Sequence, residues 1–232
     1  MKTVLITGAN RGLGLEWVRQ CAADGWRVHA TCRHPHDALE LNALAADEPR
    51  IGVHALDVTD PVQLAGLAAS LSDAPLDLLV NNAGVYFERW GRDRLGAIDY
   101  GDWEETFRVN VLGAMRVTEA FVDALAESER GLVVAVSSHM GCVGDIASPN
   151  DYAYRSSKAA MNAAFRGLAF ELAQRHVGVL LVHPGWVATR MGGPSAPVAP
   201  AESVAGMRRL VERFEPRQAG RLFKFDGREL PW

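Results

Sequence analysis

The 232-residue chain predicts an α/β protein, one domain over residues 1–232 with a doubly wound sheet of about seven parallel strands and helices on both faces. Three observations carry this. Short apolar runs alternate with longer amphipathic stretches from end to end. Most of those runs are continuous rather than alternating, as strands covered on both faces are. A glycine-rich turn, Gly8-Ala9-Asn10-Arg11-Gly12-Leu13-Gly14, separates the first run from the first amphipathic stretch.

Strands are expected at 3–7, 26–32, 51–56, 76–80, 132–137, 177–183 and 222–225. Helices are expected at 13–24, about 36–46, 61–71, 102–128, 152–175 and 201–214. Asp60-Pro61 reads as an N-cap followed by proline at the first helical position. Repeated strand–helix alternation requires right-handed crossovers and hence a parallel sheet. The segment 192–200, Gly-Gly-Pro-Ser-Ala-Pro-Val-Ala-Pro, is too short for a linker and reads as a loop beside a site.

Composition sets bounds. With 48% hydrophobic residues the chain can bury a sizeable core. A net charge of −4 gives no electrostatic case for nucleic acid. Cys21, Cys32 and Cys142 show neither metal spacing nor a disulfide framework, which fits a reducing compartment. The apolar run after Lys2 is cut short by glycine, so neither a signal peptide nor a membrane span is expected. A cytoplasmic protein follows as the expectation.

Gly8, Gly12 and Gly14 between strand and helix allow a tight turn, close backbone approach to a pyrophosphate, and an anion at the helix N-terminus. Their Gly-x-x-x-Gly-x-Gly spacing departs from the general Gly-x-Gly-x-x-Gly dinucleotide fingerprint. An NAD site normally offers a carboxylate at the end of the second strand. Here Thr31-Cys32-Arg33-His34 supplies none, and Arg11 adds a second cation from the glycine loop. Either these are two solvated arginines, or they serve a 2′-phosphate; the missing carboxylate favours NADP(H). On this reading residues 1–100 mainly bind dinucleotide, and residues 101–232 hold the catalytic and substrate-binding portion.

Tyr154 and Lys158 stand four apart at the start of a helical pattern and share one face. A tyrosine with a reference pKa of about 10 is a poor acid–base until its environment alters it. A nearby ammonium would favour the phenolate. The Ser138 hydroxyl, at a strand end, could hold a substrate oxygen. The pair alone could equally be a surface Tyr-Lys pair.

Taken together, residues 7–14, Asn81-Asn82-Ala83-Gly84, Asn110, Ser138, Tyr154-x-x-x-Lys158 and Pro184-Gly185-Trp186-Val187-Ala188-Thr189 resemble the short-chain dehydrogenase/reductase superfamily over essentially the whole chain. Tyr154-Arg155-Ser156-Ser157-Lys158, His183 to Val187 with Met191-Gly192-Gly193, and the ending Phe225-Asp226-Gly227 to Pro231-Trp232 look most like the branch of C-factor and sniffer-type carbonyl reductases. The resemblance implies a Rossmann-type fold and a hydride transfer between NADP(H) and a small carbonyl or alcohol. Tyr154 would be general acid in reduction and base in oxidation. Lys158 would bind the nicotinamide ribose and lower the tyrosine pKa, Ser138 would polarise the carbonyl, and Asn110 would hold a relay water through a helix kink.

The cofactor residues implied are Gly8, Asn10, Arg11, Gly12, Leu13 and Gly14 of the loop, with Arg33 as the NADP-selecting cation. Asn82, Ala83 and Gly84 would pack beside the adenosine, with Asp57 touching the adenine and Val58 next to it. Pro184, Val187 and Thr189 would fix the nicotinamide carboxamide, with Gly185 in the same run. A homodimer or homotetramer is implied through helices 102–128 and 152–175, whose outer faces are expected to carry Phe121, Met161 and Phe165. The alternative is a C-factor-like dinucleotide-binding regulator with little turnover.

Other residues are set aside. No metal is expected, since His139 and His183 have no carboxylate or second histidine at ligand spacing. Cys142 could line the pocket but has no histidine base placed by sequence. Trp186 could face either the pocket or the core. Tyr152 is a second tyrosine nearby, without a lysine four residues on. The segment after Thr189 is too short for a long lid.

Overall fold

The computed structural model describes residues 1–72, 74–88 and 94–232. Its strands are β1 (Thr3–Ile6), β2 (Arg27–Cys32), β3 (Ile51–Ala55), β4 (Leu78–Asn81), β5 (Leu132–Val136), β6 (Gly178–His183) and β7 (Leu222–Lys224). All pair in parallel, in the order β3-β2-β1-β4-β5-β6-β7. The continuous apolar runs are explained by their side-chain alternation: Val4 and Ile6 enter one hydrophobic cluster with Trp17 and Val18, while Leu5 enters another with Leu79, Met161 and Phe165. β1, β4, β5, β6 and β7 each feed both cores, one on each face of the sheet, whereas β2 and β3 feed only the first.

The helices are α1 (Gly12–Ala23), α2 (Leu39–Asp47), α3 (Pro61–Ser70), α4 (Tyr100–Phe107), α5 (Ala114–Ala120), α6 (Val122–Ala126), α7 (Tyr152–Ala173) and α8 (Pro200–Glu212). The Asp60 cap forms as expected, its carboxylate accepting from Val62 and Gln63 N–H at 2.8 and 3.1 Å. α2 begins later than its pattern suggested, because Pro35–Asp37 winds into a tight 3₁₀ turn first.

Two expectations are corrected. The stretch 102–128 is not one helix: a π-turn over Arg108–Gly113 separates α4 from α5, and Phe121 leaves helical geometry before α6. The π-turn centres on Asn110, whose buried side chain is drawn toward the loop after β4. Gly113 also sits against Val58, where a Cβ would lie 2.7 Å from the valine Cγ2. Phe121, Met161 and Phe165 lie in the core, not on outer faces. Apolar helical spacing marks a buried stripe but does not say which neighbour buries it.

The strand order reverses between β1 and β4: β2 and β3 follow outward on one side of β1, and β5, β6 and β7 follow outward on the other side of β4. The turns leaving these two strands are laced together. Asn82 donates its side-chain amide to the Thr7 and Gly8 carbonyls, and the Thr7 hydroxyl accepts from the Asn82 and Ala83 N–H groups. In open α/β sheets the crevice at this reversal is where ligands bind.

Candidate active site

A groove of about 750 Å³ opens at that crevice. One end is walled by the glycine loop. Gly8 has φ of +65°, and a Cβ there would come 3.0 Å from Ala83 Cα. Gly14 lies beneath the loop, where a Cβ would meet the Gly8 carbonyl at 2.2 Å and the Asn82 amide at 2.6 Å. The loop delivers the N-terminus of α1 to the groove without a side-chain cap of its own.

Asn10, Arg11, Leu13, Arg33, Asp57, Val58 and Asn82 to Gly84 line the same end. Asp57 turns back on its own loop, accepting from the Thr59 N–H and hydroxyl at 2.8 and 2.7 Å. Arg190, which sequence reasoning passed over, joins Arg11 and Arg33 along the groove. Burial first, then the Arg190 and Arg33 charges, lower the pKa of Arg11. Three guanidinium groups sharing one groove end favour an anion among them.

At the other end Tyr154, Lys158, Pro184 and Thr189 line the groove. α7 carries Tyr154 and Lys158 one turn apart, both buried. Lys158 Nζ donates to the Val136 carbonyl at 2.8 Å and lies 5.7 Å from the centroid of the Tyr154 ring. Ser138, two residues beyond β5, offers its hydroxyl to the Tyr154 phenol as a hydrogen-bond partner. Burial pushes the phenol up to about 12 against the pull of that bond, and pushes the Lys158 ammonium down to about 8. The expected lowering of the tyrosine by the lysine is absent here: only Ser138 opposes the effect of burial on the phenol.

Asn110 lies behind the groove. Its amide braces Val85 in both directions, at 2.8 and 3.0 Å, and reaches the Ser157 hydroxyl at 3.1 Å. Val187 is buried and Gly185 packs against Phe225, so both shape the wall from behind rather than lining it. Tyr152 points elsewhere, stacking on Trp103 with ring centroids 6.4 Å apart. Trp186 is exposed, its indole N–H bonded to the Gly192 carbonyl at 2.7 Å.

His139 does have a carboxylate beside it, contrary to expectation: Asp145 Oδ2 lies 2.7 Å from its Nε2, and the Cys142 thiol belongs to the same cluster. The two short turns after Ser138 fold six residues back on themselves, which linear spacing did not reveal. Cys142 itself is buried in the hydrophobic cluster under those turns. Tyr86 and Glu88 were also missed. The Tyr86 ring lies 4.4 Å from that of Tyr154, and Glu88 touches the start of α7.

Comparison with known proteins agrees with this architecture. The short chain dehydrogenase family model matches residues 2–198, and the chain belongs to that family. The C-signal protein of Myxococcus xanthus is 41% identical over 165 residues, covering 71% of this chain and 98% of that protein. The NADPH-bound carbonyl reductase from chicken fatty liver superposes with a TM-score of 0.93 at 30% identity, covering 100% of this chain and 99% of the other. The carbonyl reductase Sniffer of D. melanogaster gives 0.92 at 29% identity, with both chains fully covered. Within the family, the chain falls in the branch of C-factor and sniffer-type carbonyl reductases. It is an oxidoreductase of the short-chain type. Among the described residues, no helix is long and apolar enough to cross a membrane.

Proposed function

We propose that this protein is an NADP(H)-dependent carbonyl reductase, interconverting a small aldehyde or ketone and its alcohol. The observation that carries this reading is the buried Ser138–Tyr154–Lys158 arrangement, at one end of a groove whose other end gathers Arg11, Arg33 and Arg190.

The residues fit the cofactor. The glycine loop and the α1 N-terminus suit a pyrophosphate, Arg11 and Arg33 a 2′-phosphate, Lys158 the nicotinamide ribose, and Pro184 and Thr189 the carboxamide, with Val187 and Gly185 supporting that wall. When bound, the nicotinamide supplies or takes the hydride. Ser138 holds the substrate oxygen by a hydrogen bond, and Tyr154 passes its proton to that oxygen in reduction. Because burial holds the phenol near 12, it stays protonated at neutral pH and is set for reduction. The Lys158 ammonium, anchored on Val136, supplies positive charge as the phenolate forms. Asn110 fixes the loop beside the phenol and opens the π-turn through which a relay water would pass.

On the same reading residues 1–100 mainly hold the dinucleotide and residues 101–232 carry the chemistry, in a cytoplasmic setting. A homodimer or homotetramer would use exposed groups on α4 and α7, such as Tyr100 and Phe170, together with Leu112 of the π-turn. The test is a screen of aldehydes, ketones and quinones by loss of NADPH absorbance, repeated with NADH. Turnover with NADPH at a kcat/KM about tenfold or more above NADH supports the assignment. Similarity to the C-signal protein favours a second reading, a dinucleotide-binding regulator with little turnover. Tight NADPH binding without turnover of any carbonyl would select it.

A further inference from the structure

α7 begins in an unusual way. Asn150 and Asp151 both have left-handed backbone, with φ of 78° and 58°. Asp151 occupies the N-cap position, yet its side chain makes no capping bond. It accepts the Tyr86 hydroxyl instead, in a short contact. The first-turn N–H groups of the helix that carries Tyr154 must therefore find acceptors elsewhere.

Glu88 provides them. Its carboxylate is buried, with Oε1 accepting from the Ala153 N–H at 2.6 Å and Oε2 from the Tyr154 N–H at 2.7 Å. The two contacts span 65 and 66 positions of chain. Such short, charge-assisted bonds are among the stronger kind. The other end of the same loop is fixed by Asn110, which grips Val85 in both directions. Between them Tyr86 lies against the Tyr154 ring at 4.4 Å. The loop is thus held at both ends, and its far end is fastened to the backbone of the proposed proton donor itself. Lys158, one turn on, has its own anchor on the Val136 carbonyl.

We propose that Glu88 is a positioning residue for the reaction: by gripping the Ala153 and Tyr154 N–H groups it fixes where the Tyr154 hydroxyl meets a substrate oxygen. This rests on the carbonyl reductase reading. It separates the two functional side chains of α7, because losing Glu88 frees the first turn while Lys158 keeps its bond to β5. Chemistry should suffer and cofactor affinity should not. A misplacement of about 1 Å can cost ~10²-fold in rate.

Glu88→Ala and Glu88→Gln test it. In the alanine variant kcat should fall by about 10²-fold, with the Kd for NADPH changed by less than about threefold. Glutamine keeps one accepting oxygen and should fall between alanine and wild type. Hydrogen exchange, which needs no substrate, should quicken over 150–156 in both variants while the β5 peptide stays unchanged.

Alanine-variant kcat within about twofold of wild type would overturn the proposal. So would a fall in kcat matched by an equal loss of NADPH affinity, since that marks a plain helix cap. If wild type reduces no carbonyl, the reductase reading fails instead. The exchange experiment then decides the brace alone, and unchanged protection over 150–156 would overturn it.

Discussion

The two ends of the groove are built by opposite means. At the Tyr154 end, functional atoms are buried and already bonded to protein: Lys158 to Val136, Tyr154 to Ser138, Asn110 to Val85 and Ser157. Low dielectric there moves proton affinities by large amounts. At the other end, Arg11, Arg33 and Arg190 are exposed side chains of like charge around a rigid glycine turn. On the proposed reading, placement fixes the chemistry at one end, and accumulated charge selects the ligand at the other. Mutations at the first should therefore act on rate, and mutations at the second on affinity.

The hardest test of that division is Tyr154→Phe. It removes the proton donor alone, so turnover should fall by ~10²–10⁴-fold while NADPH binding, measured by fluorescence titration, stays near wild type. Retained turnover above about a tenth would move the acid elsewhere. Tyr152 is excluded from that role by its stacking on Trp103, unless α7 shifts on binding.

Lys158→Met should cost on the order of 10²-fold in kcat/KM and weaken NADPH as well, since on the proposed reading one ammonium serves both the phenol and the nicotinamide ribose. Burial has lowered this ammonium to about 8. Wild-type kcat/KM should then decline as pH rises through about 8, where the charge is lost, and the methionine variant should lack that limb. A wild-type profile flat from pH ~6 to ~10 would show that the charge of Lys158 does not matter to the reaction.

Gly14→Ala sharpens the comparison from the other side, because the cradle depends on shape as well as charge. Its Cβ would come 2.2 Å from the Gly8 backbone carbonyl and 2.6 Å from the Asn82 side-chain amide, which is held by the Thr7 and Gly8 carbonyls. The cost should be about 1–3 kcal/mol in urea unfolding, with NADPH affinity lowered alongside. Unchanged stability would mean that the two laced turns move apart freely.

The smallest effects belong to the cations. Arg33→Ala, Arg11→Ala and Arg190→Ala should each weaken NADPH by roughly tenfold or less and leave NADH nearly unaffected. Being exposed, their contribution should shrink as salt is raised. If the NADPH-to-NADH preference is unmoved by all three, the charge half of the comparison is wrong and the catalytic half stands.

Sequence alone determined the strands, because apolar runs on a doubly covered sheet are continuous and bounded by turn residues. All seven expected strands formed, with ends shifted by two residues at most. It determined the glycine turn and the Tyr154–Lys158 pair too, since both are local: one needs φ freedom and small size, the other a single helical turn. It also placed Arg11 and Arg33 on the groove, because strand ends and the turns after them share one edge.

Tertiary structure decided what depends on distant neighbours. Glu88 meets α7 across 65 positions, and no spacing rule reaches that far. Asp145 meets His139 because two short turns fold the chain back. Arg190 joins the other cations only once β6 pairs with β5 and its following loop returns to the groove. Phe121, Met161 and Phe165 face the core rather than a partner because the sheet packs on that stripe. Local chemistry is written in the order of residues, but contacts and proton affinities follow from burial, which depends on what the rest of the chain brings against each group.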